Sequence, residues 1–154
     1  MKNIKLSFLL FCLVTLSVTF FGCSPKTAKT PEEFIKFMEE KNYSVEDVSE
    51  TYKDEIISQA IRASCDRYTI RYSKYIDSNN AKNIFDRNKE YLEDLNGSPK
   101  TTSNLSYSNF NIINVTVGTD FHIVARISDT LISCSTDESN RNDVISIFEQ
   151  LGYK

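Results

Sequence analysis

Few residues in this chain have the types and spacing that chemistry requires. Four cysteines, four glycines and a single histidine are scattered over 154 residues. His122 has no second histidine with which to share a metal, and alone it is a weak basis for a serine–histidine arrangement. Beyond Gly22, the glycines Gly97, Gly118 and Gly152 stand far apart, so no glycine-rich loop can cradle a phosphate. Two carboxylate pairs could do acid–base work or hold calcium: Asp86 with Glu90, one helical turn apart, and Asp137 beside Glu138. Neither has a recognisable loop spacing, and a mixed-charge helix face explains the first equally well. No catalytic residue, metal site or cofactor is assigned. The cysteine that stands out is Cys23, because of what precedes it.

Lys2 and Lys5 are followed by an uncharged, apolar run from Leu6 to Phe21, then Gly22-Cys23. The run is shorter than the ~20 residues a membrane-spanning helix needs and suits the apolar core of a secretion signal. The two lysines supply the positive segment that stays on the cytoplasmic side, and Gly22 is the small residue a peptidase needs before its cut. Residues 1–22 are therefore expected to be a signal peptide.

Across Phe20-Phe21-Gly22-Cys23 the segment resembles the signal of bacterial lipoproteins. Phe20 and Phe21 stand where that family usually carries an aliphatic and a small or β-branched residue. The resemblance implies a diacylglyceryl group in thioether linkage on Cys23, an added N-acyl chain such as palmitate, and a protein held on the outer side of the cell membrane. Two acyl chains, at roughly 0.8 kcal/mol per buried methylene, make a durable anchor. Residues 23–30 would then be the lipidated cysteine and a short polar linker, Ser24 to Lys29, holding the domain just off the membrane.

Residues 31–154 are enough for one domain and too few for two. The chain carries a net charge of −3, which becomes −5 once Lys2 and Lys5 are removed with the signal. Such a surface repels nucleic acid and anionic lipid alike. Cys12 would leave with the signal, so Cys65 and Cys134 remain in the folded part. Outside the cytoplasm they can form a disulfide, or stay as two partly buried thiols.

The elements alternate between helix and strand. Thr30-Pro31-Glu32-Glu33 opens a helix with a capping box and a proline at its first position, and Asn42 can end it. A short strand is suggested around Tyr43 to Asp47, with a polar connection after it. Ile56 to Ala63 and Tyr68 to Ser73 are expected to pair, the second alternating Tyr68, Ile70, Tyr72 against Thr69, Arg71, Ser73. Ser78 or Asn79 would cap a helix whose apolar side carries Ala81, Ile84, Phe85, Tyr91, Leu92 and Leu95, and Pro99 to Asn104 reads as a polar loop. Leu105 to Val117 forms one extended run, Phe121 to Ser128 a second, and Leu131 to Thr136 a third after a tight turn at Ser128-Asp129. Asn140 and Asp143 start a terminal helix bearing Val144, Ile147, Phe148 and Leu151. The expected fold is α+β, a mostly antiparallel sheet of about five strands with helices packed on one face.

This order of elements resembles small uncharacterised lipoproteins of low-GC Gram-positive bacteria, through Phe34 to Tyr43, Tyr68 to Tyr72, Ala81 to Lys89 and Asp129 to Leu131. The resemblance implies location and architecture, with no activity to carry over. The tyrosines on or beside strands, Tyr68, Tyr72, Tyr75 and Tyr107, can take up a peptide, a glycan or an envelope protein if they lie on an open face of the sheet. Tyr72, Arg71 and Tyr107 are the candidate ligand-binding residues. The function expected is that of a membrane-anchored, extracytoplasmic binding or accessory module that is not an enzyme; the alternatives are a small envelope hydrolase using Asp86 and Glu90, or a structural spacer.

Overall fold

A computed structural model describes residues 26–52 and 56–154. The expected signal peptide and Cys23 lie outside the described residues. Seven strands, β1 (Ser44–Asp47), β2 (Ile57–Ser64), β3 (Thr69–Tyr75), β4 (Lys100–Ser106), β5 (Phe110–Val117), β6 (Asp120–Ile127) and β7 (Thr130–Asp137), form one sheet in the order β1-β2-β3-β7-β6-β5-β4. Every neighbouring pair is antiparallel. Three α-helices complete the fold: α1 (Pro31–Glu40), α2 (Ser78–Asp94) and α3 (Arg141–Gln150).

The fold is α+β as expected, but with seven strands instead of about five. The expected polar loop at Pro99 to Asn104 is largely β4, whose residues from Lys100 to Ser106 are all exposed. An edge strand that buries neither face shows no apolar alternation, and its register comes only from hydrogen bonding to β5, from Lys100–Val117 to Ser106–Asn111. Polar β4 on one edge and four-residue β1, carrying Glu46 and Asp47, on the other blunt both edges against pairing with another chain.

Helices also pack on both faces of the sheet, not on one. The central strands β5, β6 and β7 are apolar at successive positions, Ile112 with Ile113, Ile123 with Val124 and Leu131 with Ile132, and all six are buried. Successive side chains of a strand point to opposite faces, so such strands need cover on both. α1 and α3 supply it on one side, where Phe34, Met38, Val144 and Phe148 join Tyr72, Phe121, Ile123 and Ile132. α2 supplies it on the other, where Ala81, Phe85 and Leu92 meet Tyr75, Ile113, Val124 and Leu131. Tyr91, expected on the apolar side of α2, is 64% exposed; the buried stripe runs through Ala81, Phe85 and Leu92 and passes it by.

The turns follow local chemistry. At α1, Thr30 accepts from the Glu33 amide at 3.2 Å while the Glu33 carboxylate accepts from the Thr30 amide at 2.9 Å, and Asn42 takes the left-handed conformation after the helix. Asp77, one residue before the expected caps, holds the start of α2 by accepting from the Asn80 amide. Ser128, at φ 52°, closes the two-residue turn between β6 and β7.

The expected linker is part of the domain from Lys26 onward. The Asn109 amide donates to the Lys26 carbonyl at 3.0 Å, and the Tyr72 hydroxyl donates to the Lys29 carbonyl at 2.9 Å. The Lys26 ammonium donates to the carbonyls of Gly152 and Lys154 and lies 4.0 Å from the Phe110 ring centroid. Ala28 packs against the main core.

Candidate functional site

α2 crosses the sheet mainly over β3, β7, β6 and β5, which leaves part of β2 and β3 open on the same face. The 3-10 turn Ser49–Thr51 and Tyr52 rise along the far side of this gap, while Ile84 and Asn88 of α2 rise along the near side. Between them lies a cavity of about 410 Å³. Its floor mixes Ile57, Ala60 and Leu131 with Ser73 and Ser133, and Arg62 and Arg71 stand on it. A volume of this size falls within the ~300–1,000 Å³ typical of small-molecule sites.

The two arginines define its electrostatics. Arg62 of β2 and Arg71 of β3 are directly opposite in register, as are Arg71 and Ser133 of β7. Side chains so placed have Cβ atoms ~4.5–5.5 Å apart, and like charges facing each other disfavour the pairing. Arg62 is compensated by an ion pair with Glu46. Among the described residues Arg71 has no hydrogen bond or ion pair, and it is exposed. The floor therefore presents one uncompensated guanidinium, with five donors, beside an apolar surface.

The other candidate residues are placed differently. The ring of Tyr72 does not lie on an open face. It is fully buried on the opposite side of the sheet, its ring stacked on Phe34 at 4.9 Å between centroids, and burial pushes its phenol well above the usual range. Tyr68 and Tyr75 are buried as well. Tyr107 is 58% exposed, but it sits at the β4–β5 turn against Phe110, with β7, β6 and β5 between it and β3. At ~4.8 Å per strand spacing it is about 15–20 Å from Arg71. Of the three, Arg71 and Tyr72 border the cavity, but only Arg71 turns its side chain into it, the Tyr72 ring being buried in the core of the other face. Tyr52, Ile84, Asn88 and Ser133 were not expected there; Tyr52 falls in the least patterned stretch of the sequence, and the others carry signals of ordinary helix and strand positions.

Asp86 is ion-paired with Lys82 at 2.6 Å on the outer surface of α2, and neither it nor Glu90 lines the cavity. Asp137 accepts from the Ser139 amide and hydroxyl at the start of a 3-10 turn, which holds its carboxyl below the usual range. His122 Nδ1 lies 2.9 Å from Ser135 Oγ, away from the cavity. No group of histidines, cysteines and carboxylates that could hold a metal occurs among the described residues.

Arg126 lies on the same face as Arg71 but is only 2% exposed. Its Nε donates to Asn111 Oδ1 at 2.7 Å and its Nη atoms to the carbonyls of Ser128 and Ser108 at 2.8 and 3.1 Å. Burial lowers its pKa while Asp86 acts the other way. With these donors turned inward, it ties two turns together and is not available to a ligand.

Cys65 and Cys134 are both free, the first half-buried and the second buried. Cys65 Sγ is directed at the Tyr68 carbonyl, 3.6 Å away, while Cys134 faces the core across from Ile70. Burial pushes the Cys134 thiol up to about 12 from an ordinary 9.0. Iodoacetamide at pH 8 should therefore modify Cys65 and spare Cys134 until the fold is opened by urea, as peptide mass mapping would reveal. Because the folded state favours the neutral thiol, Cys134 contributes its full stability below pH 9.0, and that contribution falls as pH rises toward about 12. Native-state alkylation of Cys134 at the same rate as Cys65 would contradict its placement.

The site thus belongs to a two-sided, seven-stranded antiparallel α+β domain with an open cationic cavity beside one helix. Comparison with known proteins finds no matching family model, no matching curated protein and no matching solved structure.

Proposed function

We propose that this protein is a lipid-anchored, extracytoplasmic binding module, not an enzyme, and that its cavity takes a ligand with an anionic group and an apolar body. The observation that carries this reading is Arg71, an exposed guanidinium without a partner among the described residues, on the floor of a half-apolar cavity. An arginine fork suits a carboxylate or phosphate, Ser73 and Ser133 add hydroxyls, and Ile57, Ile84 and Leu131 would cover the apolar part. The anchor rests on the Lys2-to-Cys23 signal and on the resemblance to bacterial lipoproteins. No helix among the described residues is long and apolar enough to cross a membrane. A peptide end, an acylated amino acid or an acidic glycan fragment in the envelope has the required chemistry.

Thermal unfolding of the soluble chain, Ser24 to Lys154, against N-acetylated amino acids, short peptides and cell-wall fragments tests it. A ligand at a hundred times its Kd adds about 2.7 kcal/mol, which should raise the midpoint by roughly 8–11 °C. Arg71→Ala should weaken binding about 10- to 100-fold, the loss of one charged hydrogen-bonding partner, without lowering the midpoint of the free protein. An equal shift in the wild type and Arg71→Ala would sink the cavity as the site.

A further inference from the structure

We infer that one end of the sheet is a membrane-contacting surface, built from Tyr107, Leu105 and Ile76 and held against the bilayer by the docked strand of chain that follows Cys23. This rests on the proposed lipidation of Cys23 and goes beyond it, because lipidation alone would let a tethered domain tumble. The docking of Lys26 removes that freedom. Only Ser24 and Pro25 separate Cys23 from Lys26, so the two Cα atoms are at most about 11 Å apart whatever the path between them. A headgroup layer is about 5–8 Å thick, half the difference between the whole bilayer and its hydrocarbon core. The surface around Lys26 must then lie at the headgroups.

The structure fixes which surface that is. Asn109, whose side chain holds the Lys26 carbonyl, is in the β4–β5 turn, and its own carbonyl accepts from the Ser128 amide of the β6–β7 turn. Asp129 of that second turn accepts from the Tyr75 amide at the end of β3. The β4–β5 turn, the β6–β7 turn and the end of β3 therefore meet at the end where Lys26 docks. Leu105, Tyr107 and Ile76 project there, 47%, 58% and 60% exposed. Large apolar and aromatic side chains left in solvent suit the boundary between headgroups and acyl chains, where a tyrosine keeps its hydroxyl wet. A net-negative domain gains little from anionic headgroups, so this contact is apolar in character. The opposite end carries Tyr91, about 20 Å along α2 from Ser78.

The chain has no tryptophan, so single introduced tryptophans report without background. Full-length Tyr107→Trp, Ile76→Trp and Tyr91→Trp would be purified with their lipid and reconstituted into vesicles of phosphatidylglycerol with brominated phosphatidylcholine. Tyr107→Trp and Ile76→Trp should emit at shorter wavelength and lose most of their emission to the bromines, while Tyr91→Trp stays unshifted and unquenched. If the first two are unquenched, or Tyr91→Trp is quenched as strongly, on chains whose intact mass shows the lipid, the contact is wrong and the anchor stands. A mass lacking lipid on Cys23 overturns both the anchor and the contact.

Discussion

Replacing Phe34 with alanine should cost about 3–5 kcal/mol, which lowers the thermal midpoint by roughly 10–20 °C in a domain of this size. Phe34 has no exposure and, with Met38, docks α1 on the sheet, its ring stacked on Tyr72 with an interplanar angle of 27°. Truncation leaves a cavity between helix and sheet that the ring of Tyr72 cannot fill, because its hydroxyl is held by the Lys29 carbonyl. The loss spreads to the docked segment from Lys26 to Lys29, since α1 is capped by Thr30, which directly follows it. Urea unfolding should show a lower midpoint with an unchanged slope, the mark of a loss of stability without a change in compactness. A cost below about 1 kcal/mol would mean that α1 is not docked on the sheet.

Asn111→Leu should cost about 2–4 kcal/mol, although the site is 5% exposed and leucine is similar in size. The reason is Arg126. Its Nε loses the Asn111 oxygen at 2.7 Å, and a buried cation is left without one of its acceptors. The same substitution removes the Asn111 amide from the Ser106 hydroxyl, loosening the β4–β5 turn. The double variant Asn111→Leu with Arg126→Met should be less damaging than Asn111→Leu alone, because the charge goes with its partner. If the two substitutions simply add, Arg126 and Asn111 are not coupled and their bond carries no stability.

The legible parts of the sequence were those in which local chemistry and burial agree. Thr30 and Glu33 form the capping box their spacing requires, Asn42 stops α1, and Ser128 turns β6 into β7. The alternation of Tyr68, Ile70 and Tyr72 with Thr69, Arg71 and Ser73 also holds, but its two sides have the reverse of the expected roles. The aromatic side is the core, and the arginine side faces the cavity. Neighbours on a strand face opposite ways, so Arg71 and Tyr72 cannot serve one ligand. Edge strand β4 carries no strand signal in the sequence because Thr101, Thr102, Ser103 and Asn104 have nothing to bury. The second helical layer was written in Ile112-Ile113, Ile123-Val124 and Leu131-Ile132, whose double burial demands it. Tyr52 and the 3-10 turn that walls the cavity have no period at all, and only the tertiary fold places them.

The proposed function joins a cationic cavity on one face to an apolar end proposed to be anchored, so that a ligand in the envelope would reach Arg71 from the side with the domain standing on the membrane. Its central claim is the cavity. Amide chemical shifts of the soluble chain, titrated with N-acetyl-phenylalanine as a carboxylate with an apolar body, test it most directly. The perturbed amides should cluster on β2 around Ala60, on β3 from Arg71 to Ser73, on β7 at Leu131 to Ser133 and on α2 at Ile84 to Asn88, and Arg71→Ala should need about 10- to 100-fold more ligand to reach the same shifts. Perturbations confined to the β4–β5 turn around Tyr107, or none at millimolar ligand, would contradict it.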